Sequence, residues 1–118
     1  MSAFQEYATA FEHLRNLAAW ISLPNTDVAT NIFLEGLERS LTLLEDCEHT
    51  EPLAQKSACQ RIRAHTQALM IELQNIAEAP EQHHVIVQRT ETWVDSVARD
   101  LMIWEANERG LRPSENRP

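Results

Sequence analysis

A chain of 118 residues is long enough for one domain with a core of its own, and its two cysteines are too few for a disulfide framework. Its composition, 43% hydrophobic and 24% charged, is that of a globular protein, and two glycines are too few for the turns of a β-rich or α/β fold. A net charge of −8 argues against an electrostatic grip on DNA, RNA or an anionic membrane surface, while leaving room for a basic protein partner or for mimicry of nucleic acid.

The first helix is expected from Ser2, which can cap it, to Ser22. Phe4, Tyr7, Phe11, Leu14, Ala18 and Ile21 follow three-four spacing and form its core stripe, which Leu17 and Trp20 widen. Leu23-Pro24 ends it, because a residue before proline is pushed out of the α region. A second helix is capped by Asn25, Thr26 or Asp27 and runs to about Glu48. Leu34, Leu37, Leu41 and Leu44 supply its stripe, with Ile32, Phe33 and Cys47 beside it. Gly36 within this helix costs up to about 1 kcal/mol against alanine, which suits a close approach by a neighbouring helix or a bulky ring.

The third helix is expected over Pro52 to Ala79, with Thr50 as cap and proline in the first turn. Cys59, Ile62, Thr66, Leu69, Leu73 and Ile76 form its stripe. Its first half carries Lys56, Arg61 and Arg63, with no acid between Pro52 and Ile71. The fourth helix starts near Pro80 and stops near Arg109, where Gly110 can take the left-handed closing conformation and Leu111 can fold back. Val87, Thr90, Val94, Val97, Leu101 and Trp104 are its expected stripe. Short connections force antiparallel neighbours. The expected fold is therefore an all-α, up-down-up-down antiparallel four-helix bundle, one domain over 1–111, with a short disordered tail over 112–118. An apolar strip on the longer helices would leave room for a homodimer.

Cys47 and Cys59 are offset by roughly 7 Å along such a hairpin, which disfavours a disulfide. Two reduced thiols, an acidic and polar start without a signal peptide, and the lack of a long apolar run suit a cytoplasmic protein with no membrane span.

Asp46 with His49, and Glu81 with His84, have the i, i+3 spacing of metal-binding carboxylate–histidine pairs. They fall at opposite ends of the third helix, roughly 40 Å apart, so no metal site and no cofactor is expected. Glu35 with Glu38, and Glu91 with Asp95, resemble in spacing the magnesium acids of all-helical nucleotide pyrophosphatases, but a solvated helix face accounts for them better. His65, within Arg63-Ala64-His65-Thr66, resembles the active histidine of histidine-containing phosphotransfer domains, which are acidic helical bundles of similar size. That resemblance implies phosphotransfer through His65. The chain departs from the family where Ala68 and Leu69 replace the lysine that holds the phosphate and the glycine that admits a receiver domain. Phosphate loops and spaced cysteine motifs are absent from the sequence, so no enzyme activity is expected.

The charge map carries the main functional expectation. Seven acids lie between residues 27 and 51, with Arg39 as the only Arg or Lys among them. Glu45, Asp46, Glu48 and Glu51 crowd the end of the second helix, where acids oppose the helix dipole. They either pair with the bases of the third helix or meet a basic patch on a partner. Trp20 and Trp93 flank their stripes and are candidate interface residues. The expected role is a small acidic protein-binding module, such as an adaptor, chaperone or inhibitor of a protein complex, with phosphotransfer through His65 as the alternative.

Overall fold

The computed structural model describes residues 2–21, 27–50, 53–76 and 83–110. Four helices account for nearly all of them: α1 (Ala3–Ile21), α2 (Asp27–Thr50), α3 (Leu53–Ile76) and α4 (His83–Gly110). The caps Asn25 and Thr26, the prolines Pro52 and Pro80, the acids Glu51 and Glu81, and the tail 112–118 lie outside the described residues. At the start of α1, the Ser2 hydroxyl accepts from the Gln5 amide at 3.1 Å and the Gln5 side chain accepts from the Ser2 amide at 3.2 Å. This reciprocal capping box fixes where the helix begins. Gly110 remains helical rather than turning left-handed.

The helices pack in sequence order around the bundle, and α4 closes the ring against α1. Named contacts give their directions. Phe4 and Tyr7 meet Trp104 while Phe11 meets Trp93, so α1 and α4 run antiparallel. Arg61 reaches Asp100 while Glu72 reaches Arg89, so α3 and α4 do too. The result is an all-α four-helix bundle shaped as a rod of 57 × 24 × 20 Å.

Two tryptophans of α4 organise the core. Trp104 takes the edge of Phe4 at 5.5 Å and stacks on Tyr7 at 6.1 Å. Trp93 meets Phe11 at 5.6 Å and Phe33 at 5.8 Å, tying α1 and α2 to α4. The Trp93 indole N–H donates to the Thr66 hydroxyl at 3.1 Å, and that hydroxyl donates to the Ile62 carbonyl at 2.8 Å. A buried indole must find an acceptor, and Thr66 in the α3 stripe is that acceptor. The buried Tyr7 hydroxyl lies near Thr66, Cys59 and Cys47, and burial pushes its pKa above the ordinary tyrosine value. Cys47 and Cys59 are both buried and form no disulfide.

Two stripes match the sequence expectation only in part: Leu37 and Leu44 on α2 and Thr90, Val97, Leu101 and Trp104 on α4 are buried as expected, and the other positions differ. On α2 the buried line is Phe33, Leu37, Ser40, Leu44 and Cys47, while Leu34 and Leu41 are half-buried and Ile32 is exposed. On α4 it is Ile86, Thr90, Trp93, Val97, Asp100, Leu101 and Trp104, while Val87 and Val94 are only half-buried. Both alternatives keep three-four spacing. The rings of Phe33 and Trp93 decide, since an aromatic side chain buries far more area than valine or leucine. Trp93 is therefore a core residue, 3% exposed, and not the surface tryptophan expected from its flanking position.

Gly36 is explained by the α1–α2 contact. A Cβ there would stand 2.6 Å from Leu14 Cδ2, so the two helices approach too closely for any other residue without a shift of Leu14.

Candidate functional site

The acidic end of α2 divides into an engaged part and an exposed part. Glu48 pairs with Arg63 of α3 at 3.1 Å, with its side chain 14% exposed. This is the cross-hairpin ion pair expected when acids before a turn come level with bases after it, and it removes Glu48 from the free surface. Glu45 and Asp46 are exposed, and Glu45 makes no ion pair among the described residues. Glu51 falls outside the described residues. Arg61 turns instead to α4, where its Nε lies 3.2 Å from Asp100 Oδ1.

His65 sits midway along α3 with its side chain 45% exposed, and its Nε2 lies 3.5 Å from Asp100 Oδ2. Asp100 is otherwise buried, so two α3 side chains one turn apart, Arg61 and His65, converge on one carboxylate of α4. A phosphoryl group on that nitrogen would face the carboxylate. Ala68 beside it is exposed, and Leu69 is in the core. Sequence periodicity gave no hint of Asp100, because an acid one residue from Leu101 reads as solvated.

The remaining acid pairs lie on solvent faces. Glu35 pairs with Arg39 at 3.7 Å, both exposed. Glu91 and Asp95 are exposed on α4, at the opposite corner of the bundle from α2. Asp46 and His49 close α2 at one end of the rod, and His84 opens α4 at the other. Among the described residues no three His, Cys, Asp or Glu side chains gather to hold a metal.

Among the described residues, a concave feature lies between α1 and α4. The aromatic contacts of Trp104 and Trp93 hold the seam at the start of α1. Towards the end of α1 the facing residues shrink to Ala18 and Ala19, and a cleft of about 220 Å³ opens between the helices. Val87, Thr90 and Val94 form its α4 wall, and Arg15, Glu91 and Asp95 stand at its mouth. The half-buried Val87 and Val94 thus line this cleft, and Val94 packs against the core as well. Arg15 is already tied to Glu12 at 3.2 Å, whereas Glu91 and Asp95 make no ion pair among the described residues. Trp20, 61% exposed, follows Ala19 in the chain and is turned about 100° further around α1, away from the cleft.

No protein-family model, curated protein or solved structure matches this chain. No helix among the described residues is long and apolar enough to cross a membrane.

Proposed function

We propose that this chain is a non-enzymatic module that works by binding another protein, in the manner of an adaptor, chaperone or inhibitor, and that the α1–α4 seam is where the partner docks. The observation that carries this reading is the cleft itself. Beyond the aromatic contacts of Trp93 and Trp104, the α1–α4 seam leaves two valines and two alanines facing an opening of about 220 Å³. Small-molecule pockets span about 300–1,000 Å³, so this one is scaled to one or two partner side chains rather than to a substrate or nucleotide. Exposed Trp20, and Glu45 with Asp46 at the other end of the rod, offer further contact surface.

Capture of a partner from the native cell tests it. Ala19→Trp fills the cleft from an exposed position and is expected to abolish capture. Thr42→Trp, on the exposed face of α2, is expected to leave it intact. Equal capture by both variants would remove the seam from the interface.

Phosphotransfer through His65 draws support from the exposure of that ring, and the facing Asp100 carboxylate weighs against it. Acid-labile phosphate acquired from a phosphorylated receiver domain and lost in His65→Ala would replace the binding reading.

A further inference from the structure

We propose that the α1–α4 cleft receives a basic amphipathic helix of the partner, with one arginine or lysine laying its aliphatic stem against Ala18, Val87 and Val94 and its cation between Glu91 and Asp95. This rests on the protein-binding reading and assigns the chemistry of what docks.

Three observations converge on that chemistry. The cleft is apolar within and acidic at the mouth, which matches a side chain with an apolar stem and a charged head. Glu91 and Asp95 stand one helical turn apart, close enough for one cation to address both, and a guanidinium can do so with its planar fork. Neither acid is answered from within the described residues, and the one cation at the mouth, Arg15, is held by Glu12.

The charge of the whole chain selects among occupants. A second copy brings its own net charge of −8 against this acidic mouth, and nucleic acid would oppose it more strongly. A basic helix is drawn toward it and gains both the apolar wall and the two carboxylates.

The test is calorimetric titration of the full chain with a synthetic amphipathic helical peptide, blocked at both ends, whose leucine stripe is flanked by arginines. Saturable binding is expected, weakened at least about fivefold in the E91Q/D95Q double variant and lost in A19W. The charge-matched control E35Q/E38Q, on the exposed face of α2, is expected to stay within about twofold. A peptide with its leucines replaced by glutamine is expected not to bind, which separates docking from diffuse attraction. Circular dichroism checks that each variant is folded. No saturable binding, or equal weakening in E91Q/D95Q and E35Q/E38Q, overturns the assignment. If A19W abolishes capture of the cellular partner while E91Q/D95Q leaves both assays unchanged, docking at the seam stands and the basic anchor falls. If A19W leaves capture intact, docking at the seam falls as well.

Discussion

Replacing Thr66 by valine isolates the polar centre of the core. The side chain is fully buried, its hydroxyl donates to the Ile62 carbonyl at 2.8 Å, and it accepts the Trp93 indole N–H at 3.1 Å. Valine keeps the shape but removes the acceptor, leaving a buried N–H unpaired at a cost of about 1–3 kcal/mol. The extra methyl returns about 0.8 kcal/mol of apolar burial. Ile62 loses only a second bond to its carbonyl, since the helix still supplies the Thr66 amide. The net expectation is a loss of about 0.2–2 kcal/mol, or a melting point lower by roughly 4 °C for each kcal/mol. Urea denaturation followed by circular dichroism and by tryptophan fluorescence measures it. In a Trp93→Phe background the donor is already gone, and the same Thr66→Val change is expected to cost about 1 kcal/mol less. A variant as stable as wild type, or one equally damaging in both backgrounds, would refute the claim that Thr66 exists to satisfy the indole.

The structure carries three further expectations. Gly36→Leu is expected to cost about 1–3 kcal/mol by thermal melt, because even a Cβ meets Leu14; Gly36→Ala is expected within about 1 kcal/mol of wild type, as helix propensity gained offsets the Leu14 shift. Glu48→Lys, which sets a cation against Arg63 at a mostly buried position, is expected to destabilise by about 2 kcal/mol, whereas Glu45→Lys stays within about 0.5 kcal/mol by the same assay. Tyr7 has its pKa raised by burial from an ordinary value of 10.0, so its contribution to stability is complete below that pH and is lost as pH rises above it. The loss amounts to at most about 1.4 kcal/mol per pH unit, and the difference between wild type and Tyr7→Phe in alkaline urea titrations isolates it from the other groups that ionise there.

The helix count and the bundle were legible because the three-four pattern repeats over long segments and few glycines interrupt it. The α1 and α3 stripes read true at Tyr7, Phe11, Leu14 and Ile21 and at Cys59, Ile62, Thr66, Leu69 and Leu73. The α2 and α4 stripes read true at Leu37 and Leu44 and at Thr90, Val97, Leu101 and Trp104, and a residue away at Leu34, Leu41, Val87 and Val94, because each helix has more apolar side chains than one stripe can hold. Periodicity cannot say that Trp93 outcompetes Val94 for the interior, and the cleft is built from the side chains that lost. The hairpin charges were half legible. Glu48 and Arg63 pair as the turn implies, but Arg61 passes to Asp100, a partner 39 residues away that only the packing of α3 on α4 reveals. The cleft mouth was the least legible part. Glu91 and Asp95 read as a solvated pair, and their meaning depends on Ala18 and Ala19 lying opposite them.

Site-specific photocrosslinking in the native cell tests the central claim most directly. A photoreactive residue at position 19, in the α1 wall of the cleft, is expected to crosslink a single basic protein, and the same residue at position 42, on the outer face of α2, is expected to give no such product. Crosslinking at position 42 with none at position 19 would contradict docking at the α1–α4 seam.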